Sequence, residues 1–566
     1  MVKTPDEVRR LLAVARGQEP ADLVLTGARL LNVYTGEVSD GWGVATAGPY
    51  VAYVGPAAAD RTGPQSQVVD AGGRWLVPGL VDGHTHALWR LDPAELLAAA
   101  LAGGTTGIVS EVQELAVVAG RPALDWALAV ARQSPANLFL TLPAPVALAP
   151  GEEPAPAALD LLAAPEVVGV GEVPWVALLH PDQQLLAWNS AAVAARRTLE
   201  GHGAGARDGQ LQAYVAAGYG SDHEPITAEE VVERLRLGVR TMIRQGSVRR
   251  DLEGTHQVRQ AGVDLRHLLL VTDSVSPLDL VREGYLDAAL RRALDLGFDP
   301  VTAYRLTTLN VAEHFGLVDF FGGVGPGRSA DLAVVTRPGA VPDLVFARGR
   351  LAARDGEPVL SFSLPPFPPE FFATADHGHT FSPADFPLPA GEARVVDQVT
   401  DLVTREGRAD FGGSLPADVA WAAVAGRGRN AGRFFVGFLR GLGLAAGAVA
   451  TTFAWDTAAT VAVGRDPIDL AAALNGVAAR GGGLVIARDG QVVWDLPAPG
   501  AGLIIAGDRI SVARRWAQGL EVLAALGCRG RDPFLTLEIL TTRFIPHWRL
   551  SWQGYVGVKE GEVSGW

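Results

Sequence analysis

The most informative stretch of the sequence, residues 78–86, contains two histidines separated by one residue. It reads Pro-Gly-Leu-Val-Asp-Gly-His-Thr-His and follows an apolar run at 75–77, which is typical of a buried strand. Side chains two residues apart in a strand point to the same face, so Asp82, His84 and His86 would lie together. Two neighbouring imidazoles can bind one divalent ion, with a carboxylate nearby to orient them. Only 11 histidines occur in 566 residues, so we interpret this pair as metal ligands rather than unrelated surface histidines.

Other residues of the type that binds metals follow apolar segments later in the chain. Glu172 comes after the run 167–171, and Asp273 ends the run 268–272. His202 lies among glycines, and His223 lies in the sequence Gly-Ser-Asp-His-Glu. With the first pair they make four histidines and two carboxylates from five strand ends, a set that suits two divalent ions bridged by Glu172. The predicted ligand set is His84, His86, Glu172, His202, His223 and Asp273.

Each of these residues has a simpler explanation when it is considered alone. Glu172 could be an exposed loop acid, and His202 a turn residue between glycines. Asp222 and Glu224 could be the N-cap and first turn of the helix that begins near residue 227, and we prefer this interpretation for Asp222. Asp273 could cap the segment after it. The order and spacing of these residues fit a single barrel of strands and helices, described below, and this favours their interpretation as one set of metal ligands. The remaining histidines lack this context and are interpreted as structural or surface residues: His180, His256, His267, His314, His377, His379 and His547.

Composition and charge limit the possible functions. The chain is long enough for about two to four domains, and its net charge of −14 argues against a surface for nucleic acid or anionic membranes. A polar start and the lack of a long apolar run predict neither a signal peptide nor a membrane span, so a cytoplasmic location is expected. A single cysteine, Cys528, excludes disulfides and thiolate metal sites. The only lysines, Lys3 and Lys559, lie near the two ends, which excludes a lysine-derived metal bridge.

Positioning the candidate ligands requires several strands that end at one edge. Apolar strands alternate with helical stretches from residue 78 to about residue 317, which predicts a (β/α)8 barrel. Catalytic residues of such barrels lie where strands end and loops begin, as the candidate ligands do. We therefore predict an α/β fold with a catalytic barrel at 78–322 and a β-sandwich lobe built from 1–77 and 323–375. A further α+β domain would occupy 390–566.

Several segments beyond the ligand set form recognisable motifs. The most specific is 216–224, Ala-Ala-Gly-Tyr-Gly-Ser-Asp-His-Glu, and the others are 30–37, 78–86, 103–106, 236–238, 242–247, 325–332, 437–438 and 481–483. In these segments the chain resembles the adenine deaminase family of the amidohydrolase superfamily. The resemblance implies a metal-containing barrel, a β-sandwich lobe and a C-terminal domain peculiar to the family, and it matches the predicted ligands to the family's metal ligands. We expect manganese or iron as the metal, with zinc as an alternative, and a homo-oligomeric protein.

Three places differ from the pattern of that family. Residues 111–114, Glu-Val-Gln-Glu, stand where the family has Asp-Pro-His-Glu, so one histidine is lost. Ser274 replaces the aspartate that follows the metal aspartate. Residues 455–459, Trp-Asp-Thr-Ala-Ala, stand where the family has His-Asp-Ser-His-Asn. These differences resemble the branch that deaminates N6-methyladenine.

The resemblance implies hydrolytic deamination at C6 of a 6-aminopurine base, with adenine and N6-methyladenine as the two candidate substrates. Two divalent ions would supply hydroxide near neutral pH. Asp273 would take the proton of that nucleophile and pass it to the departing amine. Glu172 or Glu224 would protonate a ring nitrogen, and His223 would polarise the attacking hydroxide.

Contacts to the purine edge are expected from Arg244 or from a glutamate such as Glu114. Two other interpretations stay open at this point. The first is an amidohydrolase that acts on a cyclic amide or an N-acyl substrate with the same metals. The second is a non-catalytic purine-binding protein that has kept the fold, which the complete ligand set disfavours.

Overall fold

The computed structural model describes residues 3–146, 158–179, 181, 183–545 and 547–566. These residues form a strand-rich lobe, a barrel of alternating strands and helices, and a C-terminal domain with its own large sheet. The predicted α/β fold class, with a flanking lobe and a C-terminal domain, is confirmed. His180 lies outside the described residues, so its interpretation stays a prediction. Within the described ranges, no helix is both long enough and apolar enough to span a membrane.

The barrel is a ring of parallel strands in sequential order. The first five strands pair side by side, and so do the last three. The ring closes where Thr85, at the end of the first strand, bridges Asp273, just beyond the last strand. In the described part of the chain the barrel strands are Leu80–Thr85, Thr105–Glu111, Asn137–Pro143, Val167–Pro174, Thr198–His202, Ser221–Asp222, Arg240–Arg244 and Leu268–Val271. The helices between and after them are Pro93–Ala102, Gln113–Ala119, Arg121–Gln133, Gln183–Ala194, Asp208–Ala216, Ala228–Arg236, Leu252–Thr255, Pro277–Arg282, Leu286–Asp295, Pro300–Leu306 and Leu309–His314.

Apolar side chains fill the interior of the barrel. One buried cluster takes Val81, Val109 and Phe139 from the first three strands and Met242 and Leu269 from the last two. Parallel strands covered on both faces are apolar along most of their length, which is why their runs are visible in the sequence. Polar side chains are confined largely to the strand ends, so the rim of the barrel is the place where chemistry can occur.

The lobe is one mixed sheet drawn from both flanks of the barrel. Its strand Trp75–Pro78 pairs antiparallel with Leu332–Val335. The chain passes from this strand into the first barrel strand at Gly79, where a Cβ atom would collide with the side chain of Thr106. The apolar run before the two histidines therefore belongs to the lobe, and the histidines belong to the barrel. The helix Pro5–Ala15 precedes the sheet, whose other strands are Leu23–Leu31, Val38–Ala47, Tyr50–Gly55, Gln67–Asp70, Leu344–Ala347, Arg350–Arg354 and Glu357–Pro358.

The C-terminal domain is built on a sheet whose strands are mostly antiparallel. In spatial order its strands are Thr404–Asp410, Glu392–Gln398, Phe434–Arg440, Val419–Gly426, Ala459–Gly464, Ala448–Thr451, Gly483–Arg488 and Gln491–Pro497. Its α-helices in the described residues are Pro467–Ala479, Arg509–Ala525 and Pro533–Ile539, and a small sheet follows with the strands Trp548–Ser551, Gly554–Gly557 and Glu562–Ser564. The first helix packs on the large sheet, where Leu470, Leu474 and Val477 join a buried core cluster.

The C-terminal domain is attached to the barrel next to the two histidines. The short strand Arg90–Leu91 pairs in parallel with Ile504–Ile505. Nη2 of Arg90 forms an ion pair with Glu538, and the two side chains are 3% and 0% exposed. Nη1 of Arg90 also donates a hydrogen bond of 3.3 Å to the hydroxyl oxygen of Ser274. These contacts connect the helix that carries Glu538 to the rim of the barrel.

Candidate metal centre

The two histidines of the first barrel strand direct the same ring nitrogen at one carboxylate. Nε2 of His84 lies 3.6 Å from Oδ1 of Asp273, and Nε2 of His86 lies 3.4 Å from the same oxygen. All three side chains are buried. One ligand atom from each residue lies within 4.8 Å of the others, so the three can share a single cation.

Asp273 is held in place by the closure of the barrel. Its N–H donates to the carbonyl oxygen of His84, and its carbonyl oxygen accepts from the N–H of His86, both at 3.0 Å. Its φ of +62° lies in the left-handed region, which is uncommon for a residue with a side chain. Such a conformation persists only where the surrounding fold fixes it, and it often marks a functional site. The sequence placed Asp273 at a strand end but did not indicate this conformation.

Glu172, in the fourth barrel strand, lies between this cluster and a second one. Its Oε2 is 3.0 Å from Nε2 of His223 and 3.1 Å from Nδ1 of His202. The same oxygen lies 3.9 Å from Nε2 of His84, and Oε1 lies 3.9 Å from Nε2 of His86. The structure therefore brings the six predicted ligand residues together, with Glu172 in the middle.

The second cluster contains His202, His223 and Glu224. Nδ1 of His202 and Nε2 of His223 are 3.1 Å apart, and Oε1 of Glu224 lies 3.7 Å and 3.5 Å from them. The rings of His223 and His84 stack with their centroids 4.2 Å apart, which joins the two clusters. The geometry therefore offers two neighbouring positions for cations.

Opposite charges offset the cost of burying these groups. Burial alone would raise the pKa of Glu172, but the imidazoles of His223 and His202 hold it well below its usual range. Glu224 is also buried, yet the Arg244 guanidinium lowers its pKa to about 2. Burial alone would lower the pKa of His202, but Glu224 and Glu172 raise it to about 9. The carboxyl groups are thus held ionised, which is the form that binds a cation.

The donor set of the two clusters fits divalent cations. The Nε2 atoms of His84 and His86 are buried and have no hydrogen-bond partner among the described residues. Buried polar atoms normally have partners, and a cation beside Asp273 would satisfy both nitrogens. Imidazole and carboxylate ligands suit manganese, iron and zinc. The residues present therefore fit a metal centre.

The two residues predicted to contact the purine edge are engaged with other protein groups. Nη1 of Arg244 forms an ion pair with Glu224 and lies 3.7 Å from Oδ2 of Asp273. Glu114 is buried, and its Oε1 is in close contact with Nδ1 of His86. Arg244 lines the cavity described below, whereas Glu114 is not among the described residues that line it. The carboxylate of Glu114 faces an imidazole, and its predicted purine contact stays a prediction.

Asp222 is not the N-cap that the sequence suggested. The helix that follows has Thr227 as its N-cap. Asp222 instead accepts hydrogen bonds from the N–H groups of Gly203 and Glu224, at 2.9 Å and 3.0 Å, and from Nε of Arg234 at 2.8 Å. It therefore fixes the loops after the fifth and sixth barrel strands. The prediction was wrong because these partners are distant in sequence, so the local pattern does not show them.

Two described histidines outside the ligand set have the expected structural contacts. Nε2 of His314 lies 2.9 Å from the Glu200 carboxylate, and Nε2 of His377 lies 2.8 Å from Oγ1 of Thr460. His547 differs from these two because it lines the cavity near the ligand cluster. Its place in the C-terminal domain gave no signal in the sequence for this position.

A cavity of about 270 Å³ lies between the barrel and the C-terminal domain. We call its barrel side the polar floor, which includes Glu172, His202, His223, Glu224, Arg244 and Asp273. We call the opposite side the apolar roof, which includes Leu402, Val403, Trp455, Ile539, Phe544 and Ile545. Two roof aromatics pack edge-on against candidate ligands: the ring centroids of Trp455 and His86 are 5.1 Å apart, and those of Phe544 and His202 are 5.4 Å apart.

Comparison with known proteins gives the family of the chain. The amidohydrolase family model matches residues 75–352, and the adenine deaminase C-terminal domain model matches residues 397–562. An adenine deaminase from Moorella thermoacetica is 35% identical, over 97% of this chain and 96% of its own. This chain belongs to the adenine deaminase family. Further members are adenine deaminase 3 of Rhizobium meliloti, 34% identical over 98% of both chains, and an adenine deaminase of a Ruegeria species, 33% identical over 98% of this chain and 96% of its own.

The three places at which the sequence is expected to differ from the family pattern lie around the candidate metal centre. Trp455 contributes to the apolar roof beside His86. Ser274 follows the strained Asp273 directly. Residues 111–114 end the second barrel strand and begin the next helix, and both of their glutamates face the histidines of the first strand. The differences are therefore concentrated where they can change the substrate or the metal ligands.

Proposed function

We propose that this protein is a metal-dependent hydrolase that deaminates a 6-aminopurine base at C6. With adenine the products are hypoxanthine and ammonia, and with N6-methyladenine they are hypoxanthine and methylamine. The observation that carries the proposal is the convergence of six ligand-type side chains in a member of the adenine deaminase family, with Glu172, His202, His223 and Asp273 also lining the cavity: His84, His86, Glu172, His202, His223 and Asp273.

We propose two divalent ions, manganese or iron, at this centre. His84, His86 and Asp273 would hold one of them, His202 and His223 the other, and Glu172 would lie between them. Ions bound there lower the pKa of a water molecule and supply hydroxide near neutral pH. The partnerless Nε2 atoms of the first two histidines support the first position, and the short distances around Glu172 support the second.

Asp273 is proposed to accept the proton of the nucleophile and to return it to the amine that leaves C6. Its carboxylate has one oxygen toward the histidines and the other 3.7 Å from Nη1 of Arg244, and it lines the cavity. The charge of Arg244 favours the ionised form of Asp273, which is the form that can accept a proton. The imidazoles are less suited to accept this proton, because their nitrogen lone pairs are needed to bind the ions.

Glu224 is the better placed of the two carboxylates proposed to carry a proton to the purine ring. Because Arg244 holds it ionised, it would first accept a proton when water is converted to hydroxide and then give that proton to the ring. It lines the cavity and is held by Arg244, whereas both oxygens of Glu172 face histidines of the two clusters. His223 lies between Glu172 and Glu224, where it can also polarise the nucleophile. Glu224→Gln separates the two carboxylates, because it removes a group that can carry the proton but keeps an amide oxygen beside His202 and His223 of the second cluster. We expect a fall in kcat without a loss of metal.

The cavity suits a purine base without ribose or phosphate. Its volume of about 270 Å³ lies just below the roughly 300–1,000 Å³ that is typical of pockets for drug-sized ligands. The apolar roof presents Trp455 where the family usually has a histidine, and this change favours N6-methyladenine over adenine. The roof aromatics also offer faces on which a planar base can stack.

A substrate panel tests the proposal directly. Purified protein, prepared with manganese or iron, is assayed with adenine, N6-methyladenine, a nucleoside, a dihydropyrimidine and an N-acyl amino acid. Release of ammonia or methylamine from a free base supports the proposal. Reaction only with the nucleoside, or release of acid from the amide substrates, would show that the assignment is wrong.

Elemental analysis tests the metal centre independently. We expect about two divalent ions per chain after growth with manganese or iron. His84→Ala removes one proposed ligand and should lower both the metal content and the activity. Wild-type protein that contains no divalent ion under these conditions would exclude the hydrolase proposal.

A further inference from the structure

Two buried glutamates stand behind the histidines of the first barrel strand. Glu111 ends the second barrel strand, and Glu114 lies in the first turn of the following helix. Each is only 2% exposed. Oε1 of Glu111 lies 3.7 Å from Nδ1 of His84, and Oε1 of Glu114 is in closer contact with Nδ1 of His86. Each histidine therefore has its own carboxylate.

The arrangement is the same at both histidines, atom by atom. The glutamate faces Nδ1, while Nε2 on the opposite side of the ring points to Oδ1 of Asp273. A neutral imidazole that donates Nδ1–H to a carboxylate has its lone pair on Nε2. Metal-binding histidines usually have such a partner, which fixes the ring and makes the ligand nitrogen more basic.

Other roles for the two glutamates have less support from their positions. Neither is among the described residues that line the cavity, whereas Glu224 and Arg244 are. Neither forms an ion pair with an arginine or lysine in the described chain, although a buried carboxylate normally needs such a partner. The imidazoles are their only charged partners there. The burial of these two carboxylates without an arginine or lysine is explained if each one orients the imidazole that it faces.

Gly171 shows that the fold makes room for Glu111. A Cβ atom at this position would overlap Oε2 of Glu111, and that oxygen has no hydrogen-bond partner among the described residues. Gly171 also directly precedes Glu172, the residue between the two donor clusters. The absence of a side chain at 171 thus lets one carboxylate approach His84 from behind while the next residue faces the metal side.

We propose that Glu111 and Glu114 are positioning residues. Each carboxylate faces Nδ1 of one histidine without a hydrogen bond between them in this structure, and each would accept one from Nδ1 when the metal is bound, so that Nε2 is presented to the metal. Glu114 has the larger effect because its contact is closer. This inference rests on the metal centre of the proposed function. It is an alternative to the predicted purine contact of Glu114 and gives a reason for the Glu-Val-Gln-Glu sequence at 111–114.

Metal affinity is the test, because a positioning role acts on the ligand nitrogen before any substrate binds. Wild type, Glu111→Gln and Glu114→Gln are loaded with manganese, and the bound metal is measured against increasing chelator. Loss of an outer partner of a ligand typically weakens metal binding by roughly 10–100-fold. We expect Glu114→Gln in that range and a smaller loss for Glu111→Gln.

Glu200→Gln is the matched control. It also removes a buried carboxylate that faces an imidazole, but that imidazole, His314, belongs to neither donor cluster. We expect near wild-type metal affinity for this variant. Equal losses in Glu114→Gln and Glu200→Gln would overturn the inference, because the effect would then be general destabilisation. Full metal affinity in Glu114→Gln, even with reduced activity, would overturn it in favour of a substrate contact.

A second set of variants tests the space behind His84. Gly171→Ala should weaken metal binding because its methyl group displaces Glu111. The double variant Glu111→Ala with Gly171→Ala should then lose no more affinity than Glu111→Ala alone, since the collision is gone. Additive losses would contradict the inference for Glu111. Wild-type protein that binds no manganese would overturn the proposed function as well. If wild type binds manganese and only the variants give unexpected affinities, the result concerns the inference alone.

Discussion

The polar floor and the apolar roof of the cavity differ in origin and in what they can bind. Floor residues such as Glu172 and Asp273 lie at the ends of barrel strands and are ionisable. Roof residues such as Trp455 and Phe544 come from connecting segments of another domain and are largely apolar. On the proposed function, the floor would perform the reaction and the roof would select the substrate, so the two properties could change separately.

The floor and the roof are connected by a small number of buried contacts. Arg90 lies just after the two histidines and pairs with Glu538, which directly precedes the roof residue Ile539. The same arginine lies over the ring of Trp89, 4.3 Å from its centroid, and Trp89 packs against Trp455. These contacts therefore join the floor to the roof, and we call them the junction.

A change in the floor should have the largest effect on turnover. Asp273→Asn keeps the shape of the side chain and one carbonyl oxygen for a metal, but it is not a base at neutral pH. We expect kcat to fall by roughly two to four orders of magnitude, the range for removal of a positioned general base. Folding and most of the metal should remain. Turnover and metal content are measured on the same preparation.

The exposed Asp319 provides the control for this change, since its side chain is 99% exposed and Asp319→Asn should leave turnover unaltered. Near wild-type turnover in Asp273→Asn would remove this residue from the mechanism. The floor would then have to be redefined without it.

A change at the junction should affect stability more than chemistry. Glu538→Gln leaves the guanidinium of Arg90 buried without its charged partner, and breaking a buried ion pair in this way costs about 3–5 kcal/mol. We expect a clearly lower Tm and a higher KM, with a much smaller change in kcat than in Asp273→Asn. Glu521→Gln, at an exposed position of the helix Arg509–Ala525, is the control. A loss of kcat with an unchanged Tm would show that the junction belongs to the floor.

A change in the roof should have the smallest effect and should alter selectivity. Trp455→His restores the residue usual in the family and replaces an apolar surface by a polar one. We expect the ratio of kcat/KM for N6-methyladenine to that for adenine to fall about tenfold, the lower end of what one methyl group contributes in an apolar pocket. Trp455→Phe, which keeps the surface apolar, should change the ratio less. If the ratio of the two kcat/KM values is the same in Trp455→His and Trp455→Phe, this part of the roof does not contact the methyl group.

Much of the fold could be predicted because buried parallel strands leave apolar runs in the sequence. The barrel, the lobe and the C-terminal domain follow from such runs and from family motifs. The sequence did not show where a segment changes its neighbouring strand while its residues stay apolar. Trp75–Pro78 pairs within the lobe and the chain enters the barrel at Gly79, a change of partner that the unbroken apolar character of the segment does not show.

The candidate ligands could be found because each follows a recognisable strand, and strand ends of a barrel meet at one rim. The outer contacts could not be found in this way. Asp222 was interpreted as a helix cap, and the contact of Glu114 with His86 was not expected, because a single sequence does not show which imidazole or loop a carboxylate faces after folding. The roof was missed for the same reason, since it depends on the docking of two distant parts of the chain. The metal identity, oligomeric state and cytoplasmic location stay predictions.

The two partners of the Arg90–Glu538 ion pair lie 448 residues apart in the sequence, so they are synthesised at different times. At roughly 5–20 residues per second, the ribosome needs about 20–90 s to pass from one to the other. Throughout that interval the residues of the floor lack the part of the roof that lies beyond Glu538. The cavity is therefore complete only after the last stretch of the polypeptide has emerged and docked. A stop codon shortly before Glu538 would leave the metal-binding residues in the product but would remove the enclosed chamber.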